Sequence, residues 1–115
     1  MSNSFRASRD IIIRTERFTE AICFYSTVIG LAVVHQGDTL VGYDAGAFVL
    51  YVEKGPAHGP VFDFYVSDLQ DAKRDLTAAG CSIVEEDPSV PRCYVKDPYG
   101  LVFNIEQRAL PAAGA

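Results

Sequence analysis

The sequence predicts an α+β fold made of two tandem βαβββ modules, because the chain resembles itself and each half repeats one order of elements. Residues 30–34 (GLAVV) resemble residues 80–84 (GCSIV), and residues 48–53 (FVLYVE) resemble residues 101–106 (LVFNIE). Both pairs are separated by a similar length of chain, and short insertions in turns account for the difference. The repeat therefore indicates two copies of one structural unit.

The 115 residues are enough for one domain of ordinary size. We expect module one over residues 7–53, a linker over 54–60, module two over 61–106 and a tail over 107–115. The linker prediction rests on its glycines and prolines, which interrupt strands and helices.

Module one begins with a short β-branched strand at residues 10–14. Apolar residues then recur with helical spacing, and Gly30 ends this helix at a position that favours a left-handed backbone. The apolar stripe consists of Phe18, Ala21, Ile22, Tyr25 and Ile29. Strands are predicted near residues 31–35, 39–43 and 47–53.

Module two repeats this order, with its first strand at residues 61–66. Ser67 and Gln70 have the spacing of a capping box at the start of the helix. Gly80 ends the helix, whose apolar stripe consists of Leu69, Ala72, Leu76 and Ala79. Strands are predicted near residues 81–86, 92–96 and 101–106.

Composition and charge exclude several classes of function. Ten Lys and Arg against fifteen Asp and Glu give a net charge of −5, and without a basic run this disfavours a nucleic-acid partner. No apolar run approaches the about 18 residues of a membrane span, and residues 1–10 lack the apolar core of a secretory signal. The three cysteines, Cys23, Cys81 and Cys93, match no zinc motif and are expected to be buried or partly buried thiols. We therefore expect a cytoplasmic protein without a membrane partner.

Strand alternation predicts which side chains face away from the helices. In the last strand, Leu101, Phe103 and Ile105 are apolar and are expected to pack on a helix. The opposite face mixes polar and apolar groups, as a surface that binds small molecules does. The predicted ligand-binding residues are Ile12, Arg14, Tyr51, Asp63, Tyr65, Val102, Asn104 and Glu106, with Asp10 beside them. Alternation leaves the directions of Tyr43, Tyr94 and Lys96 open.

Three stretches resemble the vicinal oxygen chelate superfamily, which includes glyoxalase I, extradiol dioxygenases, fosfomycin-resistance enzymes and bleomycin-resistance proteins. They are residues 17–31 (RFTEAICFY through IGL), residues 66–80 (VSDL through AAG) and residues 97–100 (DPYG). The resemblance covers about residues 8–107 and implies the glyoxalase/bleomycin-resistance fold, in which the two modules form a cup-shaped mixed sheet. It also implies a homodimer.

Active members of the superfamily bind a metal ion at four positions, which fall here on Asp10, Tyr51, Val61 and Asn104. Val61 has no donor atom, and Asn104 offers a neutral amide where the family has a carboxylate. A catalytic metal needs about three protein ligands and an open position. We therefore expect no cofactor and no metal at the standard site. A displaced divalent-metal site would have to use His35, His58, Glu53 and Glu106.

Three functions remain open for this sequence. The first is metal-independent binding of a small organic ligand, for which Asp10, Asp63 and Glu106 favour a cationic aromatic one, as in bleomycin resistance. The second is an enzyme, a lyase, isomerase or oxygenase, with a non-standard metal site or with Asp10 or Asp63 as general base. The third is a structural or regulatory dimer. Arg14 would either anchor a ligand or pair with Asp63 or a neighbouring acid.

Overall fold

The computed structural model describes residues 5–87 and 89–109, apart from the side chain of Asp87, and these residues form two compact units. The N-terminal unit is Arg9–Val61, and the C-terminal unit consists of residues 5–8 and 62–109. Each unit has four strands of mixed direction and one helical segment, which confirms the α+β class and the repeated order of elements. Neither helical segment has the length and hydrophobicity needed to span a membrane.

In the N-terminal unit the strands are hydrogen-bonded in the order β2-β3-β4-β1. The β1–β4 pair is parallel, and the β2–β3 and β3–β4 pairs are antiparallel. The elements are β1 (Arg6–Thr15), α1 (Phe18–Cys23), a π-helical turn (Phe24–Val28), β2 (Ala32–Gln36), β3 (Leu40–Asp44) and β4 (Val49–Lys54).

The core of this unit lies between α1 and one face of the sheet. Phe18, Val41, Tyr43 and Val52 are its buried members. The Tyr43 hydroxyl donates to the Ile22 carbonyl over 3.0 Å, so Tyr43 belongs to the core beneath α1. A phenol of this size is tolerated there because its one polar atom is hydrogen-bonded.

The predicted helix of module one changes its hydrogen-bonding pattern after Cys23. The Thr27 hydroxyl donates to the Cys23 carbonyl over 2.7 Å and competes for that acceptor. The backbone then forms i→i+5 bonds, in which the Ile29 amide donates to the Phe24 carbonyl over 3.1 Å. Gly30 ends the segment with φ +80°, as predicted. Cys23 is exposed, contrary to expectation, because it lies on the outer side of this segment.

In the C-terminal unit the strand order is β5-β8-β7-β6, which is the order of the other unit applied to the equivalent strands. The β5–β8 pair is parallel, and the β7–β8 and β6–β7 pairs are antiparallel. The elements are β5 (His58–Val66), α2 (Leu69–Ala78), β6 (Ser82–Asp87), β7 (Arg92–Lys96) and β8 (Val102–Gln107).

The core of this unit lies between α2 and its sheet, and its buried members are Val66, Leu69, Ala72, Cys93, Val95 and Ile105. Phe103 packs against the same cluster, as predicted, but the prediction for Leu101 is wrong, because this residue precedes β8 and is 67% exposed. Cys93 and Val95 occupy the helix side of β7, so Tyr94 between them faces the opposite side.

Several predicted boundaries are wrong. β5 begins at His58, inside the predicted linker, because glycine and proline are tolerated at the first residues of a strand. β8 extends to Gln107, one residue into the predicted tail, and residues 110–115 of that tail lie outside the described residues. The N-cap of α2 is Asp68 instead of Ser67, and its Oδ1 accepts from the Asp71 amide over 3.0 Å.

Candidate functional site

The face of the C-terminal sheet opposite α2 holds two rows of polar side chains. Cross-strand pairing aligns Asp63 with Asn104, and Asn104 with Tyr94. Two residues further along, it aligns Tyr65 with Glu106, and Glu106 with Arg92. Paired residues on adjacent strands project from the same face. We call this set the C-terminal polar face, and it includes the predicted site residues Asp63, Tyr65, Asn104 and Glu106.

Asp63 lies in the middle of the C-terminal polar face with 3% of its surface exposed. Its Oδ1 accepts a hydrogen bond from Nδ2 of Asn104 over 2.6 Å, and its Oδ2 lies 3.3 Å from Nη2 of Arg108. Burial raises the pKa of Asp63, and the negative charge of Glu106 raises it further. Hydrogen bonds from Asn104 and Ser8 and the charge of Arg108 oppose this rise in the pKa without cancelling it.

The side-chain oxygen of Asn104 is a buried hydrogen-bond acceptor. The residue is 1% exposed, and its Nδ2 is used by Asp63. Among the described residues, none donates a hydrogen bond to its Oδ1. A buried acceptor without a donor costs about 1–3 kcal/mol. A bound molecule with an N–H or O–H group would remove that cost.

Arg108 completes this face and was not among the predicted site residues. Its Cζ lies 4.7 Å from the centroid of the Tyr65 ring, and its Nη2 also forms an ion pair with Glu106. The Arg108 amide donates to the Val66 carbonyl over 2.9 Å, which holds the residue beside β5. The signal for Arg108 was strand alternation itself, because residue 108 follows 104 and 106 on one face. Arg108 was missed because the strand was predicted to end at residue 106.

Val102, the remaining predicted residue of this unit, is half-buried opposite Lys96 of β7. A groove of about 360 Å³ adjoins the polar face and is lined by Val90, Pro91, Arg92, Glu106, Gln107 and Arg108. A second groove, of about 500 Å³, shares Val90, Pro91, Arg92 and Gln107 and reaches the start of α2. The polar face therefore has open space beside Arg108.

In the N-terminal unit, cross-strand pairing places Ile12, Tyr51, Gly42 and His35 in one row opposite α1. A Cβ atom on Gly42 would lie 2.7 Å from Cε1 of Tyr51, so the glycine makes room for the ring. The Tyr51 and His35 ring centroids are 6.2 Å apart. Ile12 is buried, and Tyr51 is half-buried on this face.

Arg14 forms its ion pair with Glu53, its partner across the β1–β4 pair. Nε and Nη2 of Arg14 lie 3.2 and 3.1 Å from Oε1 of Glu53, and the Arg14 side chain is 8% exposed. A Cβ atom on Gly55 would approach Cδ of Arg14 to 2.6 Å, so this glycine makes room for the arginine. A neighbouring acid thus stabilises the Arg14 charge. A ligand contact of Arg14 stays a prediction.

The donor set does not fit the metal ion of the resembled family. Val61 is buried and has no donor atom, and Asn104 offers only a neutral amide oxygen where the family has a carboxylate. Asp10 is a half-buried carboxylate at the start of the β1–β4 pairing. Within residues 5–87 and 89–109, no group of three or more His, Cys, Asp or Glu side chains is arranged to hold a metal ion.

The absence of a metal-binding cluster among the described residues also applies to the displaced metal site predicted from the sequence. Glu53 pairs with Arg14, and Glu106 pairs with Arg108. His35 lies beside the Tyr51 ring, and Nδ1 of His58 lies 3.0 Å from the Gly59 carbonyl oxygen. The alternative set of His35, His58, Glu53 and Glu106 is therefore not assembled as a cluster in the described part of the chain.

Among solved structures, homoprotocatechuate 2,3-dioxygenase from Brevibacterium fuscum superposes with a TM-score of 0.62 at 16% identity, covering 94% of this chain and 38% of that chain. A hypothetical protein from Bacillus halodurans C-125 gives a TM-score of 0.66 at 10% identity, covering 95% of this chain and 98% of that one. At these identities the likeness shows the fold alone, and this chain spans little more than a third of the dioxygenase.

No curated protein sequence matched the chain. The family model of the glyoxalase-like domain matches residues 10–106, which include both units' sheets and helices and all the predicted site residues. Together with the dioxygenase fold, this match supports the vicinal oxygen chelate superfamily. The chain belongs to the glyoxalase-like domain family.

Proposed function

We propose that this protein binds a small organic molecule at the C-terminal polar face and does so without a metal ion. The observation that supports the proposal is the Oδ1 of Asn104, which is buried beside Asp63 and receives no hydrogen bond from any residue that the structure describes. A fold that keeps two polar side chains buried on one sheet face and leaves one acceptor open is suited to a ligand that donates a hydrogen bond.

The surrounding groups favour a ligand with an aromatic or planar part and a positive charge. Tyr65 offers a ring for stacking, and Asp63 and Glu106 supply carboxylates next to it. A cation near a ring face is attracted by the ring quadrupole, and more so where water is excluded. This ligand class is the one expected for a binding protein of the bleomycin-resistance type.

The N-terminal unit offers a second surface of similar character. Ile12 and Tyr51 provide apolar and aromatic area, and Gly42 makes room for the Tyr51 ring beside β3. Asp10 and the Arg14–Glu53 pair add charge on the same strands. We propose that these residues take part in ligand binding. Arg14 would act mainly by holding the Glu53 carboxylate through their ion pair.

A screen of small molecules by ligand-observed NMR tests the proposal, using neutral and cationic aromatic compounds at equal concentrations. We expect cationic aromatic compounds to bind and Tyr65→Leu to weaken that binding at least tenfold. Tyr99→Leu is the matched control, because Tyr99 is 86% exposed in a turn, and it should leave the affinity unchanged. Binding that survives both Tyr65→Leu and Asn104→Leu would refute the site. A screen without any binder would favour a structural or regulatory role.

A second candidate function is metal-free catalysis with Asp63 as general base, which the raised pKa of this buried carboxyl favours. The relevant reaction would be removal of a proton next to a carbonyl, as in an isomerase or a lyase. It is tested by incubating carbonyl-containing binders from the screen in deuterated water. Exchange that disappears in Asp63→Asn but persists in Asp10→Asn would support Asp63. If the wild type shows no exchange, catalysis is excluded for these compounds and only the binding function remains.

We further propose that the protein is a homodimer, as the resemblance implies, and that it is cytoplasmic. Three free thiols are compatible with a reducing compartment. Exposed Phe24, Val28 and Ile29 supply apolar area at the π-helical turn of the N-terminal unit. Sedimentation equilibrium at micromolar concentration should give twice the mass of the 12.6 kDa chain. A monomer at that concentration would exclude the dimer.

A further inference from the structure

The recognition groups of the C-terminal polar face are already occupied by a cation of the chain itself. The Arg108 guanidinium lies over the Tyr65 ring at 4.7 Å and forms ion pairs with both Asp63 and Glu106. An aromatic face and two carboxylates around one planar cation are what a site for a guanidinium or amidinium ligand contains. We propose that Arg108 is an intramolecular plug, and that the natural ligand is an amidinium- or guanidinium-type cation that displaces it.

The position of Arg108 in the fold makes displacement feasible. It follows Gln107, the last residue of β8, and its side chain is 41% exposed. By contrast, the Arg14 guanidinium extends from within β1 and is 8% exposed against Glu53. Moving Arg108 into water breaks no strand pairing, because its backbone amide bonds to the Val66 carbonyl independently of the side chain. Of these two arginines, Arg108 is therefore the one whose side chain can be displaced.

The space beside Arg108 indicates the rest of the ligand. The adjoining groove of about 360 Å³ is lined by apolar Val90 and Pro91 as well as by Arg92. An apolar body the size of a benzene ring or a short alkyl chain fits that volume, with its cationic head in place of the guanidinium. Arg92 lies opposite Glu106 and adds a positive charge to this face.

This inference rests on the proposed function and narrows its ligand class. Its probe is benzamidinium, a planar amidinium on an apolar ring, and the matched neutral compound is benzamide. Affinity is measured by calorimetry at low ionic strength for the wild type, for Arg108→Ala and for Arg108→Gln. Arg74→Ala is the matched control variant, since Arg74 is an exposed arginine of the same unit, paired with Asp71.

We expect both Arg108 variants to bind benzamidinium at least tenfold more tightly than the wild type, and Arg74→Ala to bind like the wild type. Adding Glu106→Gln to Arg108→Ala should abolish that gain, because one of the two carboxylates is lost. In the wild type, saturating benzamidinium should shift the NMR signal of the Arg108 Nε–H towards its position in a free arginine. This last measurement needs no variant.

Three results would overturn the inference. Unchanged or weaker benzamidinium binding in the Arg108 variants would show that the guanidinium does not compete with the ligand. Equal binding of benzamide would show that the site does not select cations, although the proposed binding of small molecules would survive. Failure of every compound, neutral or cationic, in all variants would refute the proposed function as well.

Discussion

At the scale of single residues, the central feature is a carboxyl group in a place where burial favours its protonated form. Burial raises the pKa of Asp63, and only hydrogen bonds and the nearby Arg108 charge limit that rise. In Arg108→Ala, a bound cation would supply the positive charge that Arg108 supplies in the wild type and would stabilise the ionised form of Asp63. Ligand affinity and the protonation of Asp63 are therefore linked in that variant, and a cationic ligand should bind it more tightly above the pKa of Asp63 than below it.

The raised pKa of Asp63 also predicts how stability depends on pH. Because the folded state holds this proton more tightly than the unfolded chain, the contribution is fully present below the ordinary aspartate pKa and is lost as pH rises through the folded pKa. Asp63→Asn removes the titration, so the stability of the variant relative to the wild type should rise with pH across that window. Urea unfolding at several pH values measures it, with the exposed Asp38→Asn as control. Parallel profiles for wild type and Asp63→Asn would contradict the prediction.

The Arg14–Glu53 ion pair gives a second prediction at this scale. Glu53→Gln leaves the Arg14 guanidinium, 8% exposed, without its carboxylate, and we expect a loss of about 3 kcal/mol in the free energy of unfolding. The exposed Arg17–Glu20 pair supplies the control, since Glu20→Gln should change stability little. Chemical denaturation measures both variants. Similar effects of the two substitutions would show that burial does not matter for the inner pair.

At the scale of the elements, strand alternation predicted the last strands correctly because one face of each packs against a helix. Phe103 and Ile105 face α2, and Asn104 faces away, as the pattern indicated. Alternation failed for Tyr43 and Tyr94 because both faces of β3 and β7 are buried there, so hydrophobicity does not distinguish them. Tyr43 packs under α1, and Tyr94 lies beside Asn104 on the other side of its sheet.

Hydrogen bonds made by single side chains account for the other errors. The π-helical turn depends on one hydroxyl, that of Thr27, binding a carbonyl four residues earlier, and threonine does this only in some helices. The first turn of α2 is held partly by Gln107, whose Oε1 accepts from the Leu69 amide over 2.9 Å. No local pattern connects residues 69 and 107, so the order of strands has to be known first.

The start of α2 provides a prediction at this scale. Asp68→Ala removes the acceptor of the Asp71 amide and should lower the free energy of unfolding by about 1 kcal/mol. Asp68→Ser keeps an accepting oxygen at the N-cap and should retain most of the stability. Thermal unfolding of the two variants under identical conditions measures the difference. Equal loss in both would show that the side-chain charge, and not the cap, is what stabilises the helix.

At the scale of the whole molecule, the two units share their topology but differ in the polar face. The repeat aligns Glu53 with Glu106, Arg14 with Tyr65 and Gly55 with Arg108. In both units a guanidinium lies beside the equivalent glutamate, although one comes from the first strand and the other follows the last strand. Gly55 makes room for the Arg14 side chain in the N-terminal unit. In the C-terminal unit, the Tyr65 ring lies under the Arg108 guanidinium. Both units thus have an arginine–glutamate ion pair at the equivalent glutamate, but the arginine occupies a different position in each unit.

The same comparison leads to a prediction about metal ions. A family site would need donors at equivalent positions of both units, and these hold Asp10, Tyr51, Val61 and Asn104, one without a donor atom and one a neutral amide. A metal bound only by the folded state stabilises it by about 2.7 kcal/mol at a hundred times its Kd, which would raise the Tm of a small domain by several degrees. We expect Zn²⁺, Ni²⁺, Mn²⁺ and Fe²⁺ to leave the Tm unchanged and elemental analysis of untagged protein to find no stoichiometric metal. A saturable rise in Tm with one metal per chain would contradict this prediction. The protein would then bind a metal ion through an arrangement of residues unlike that of the family.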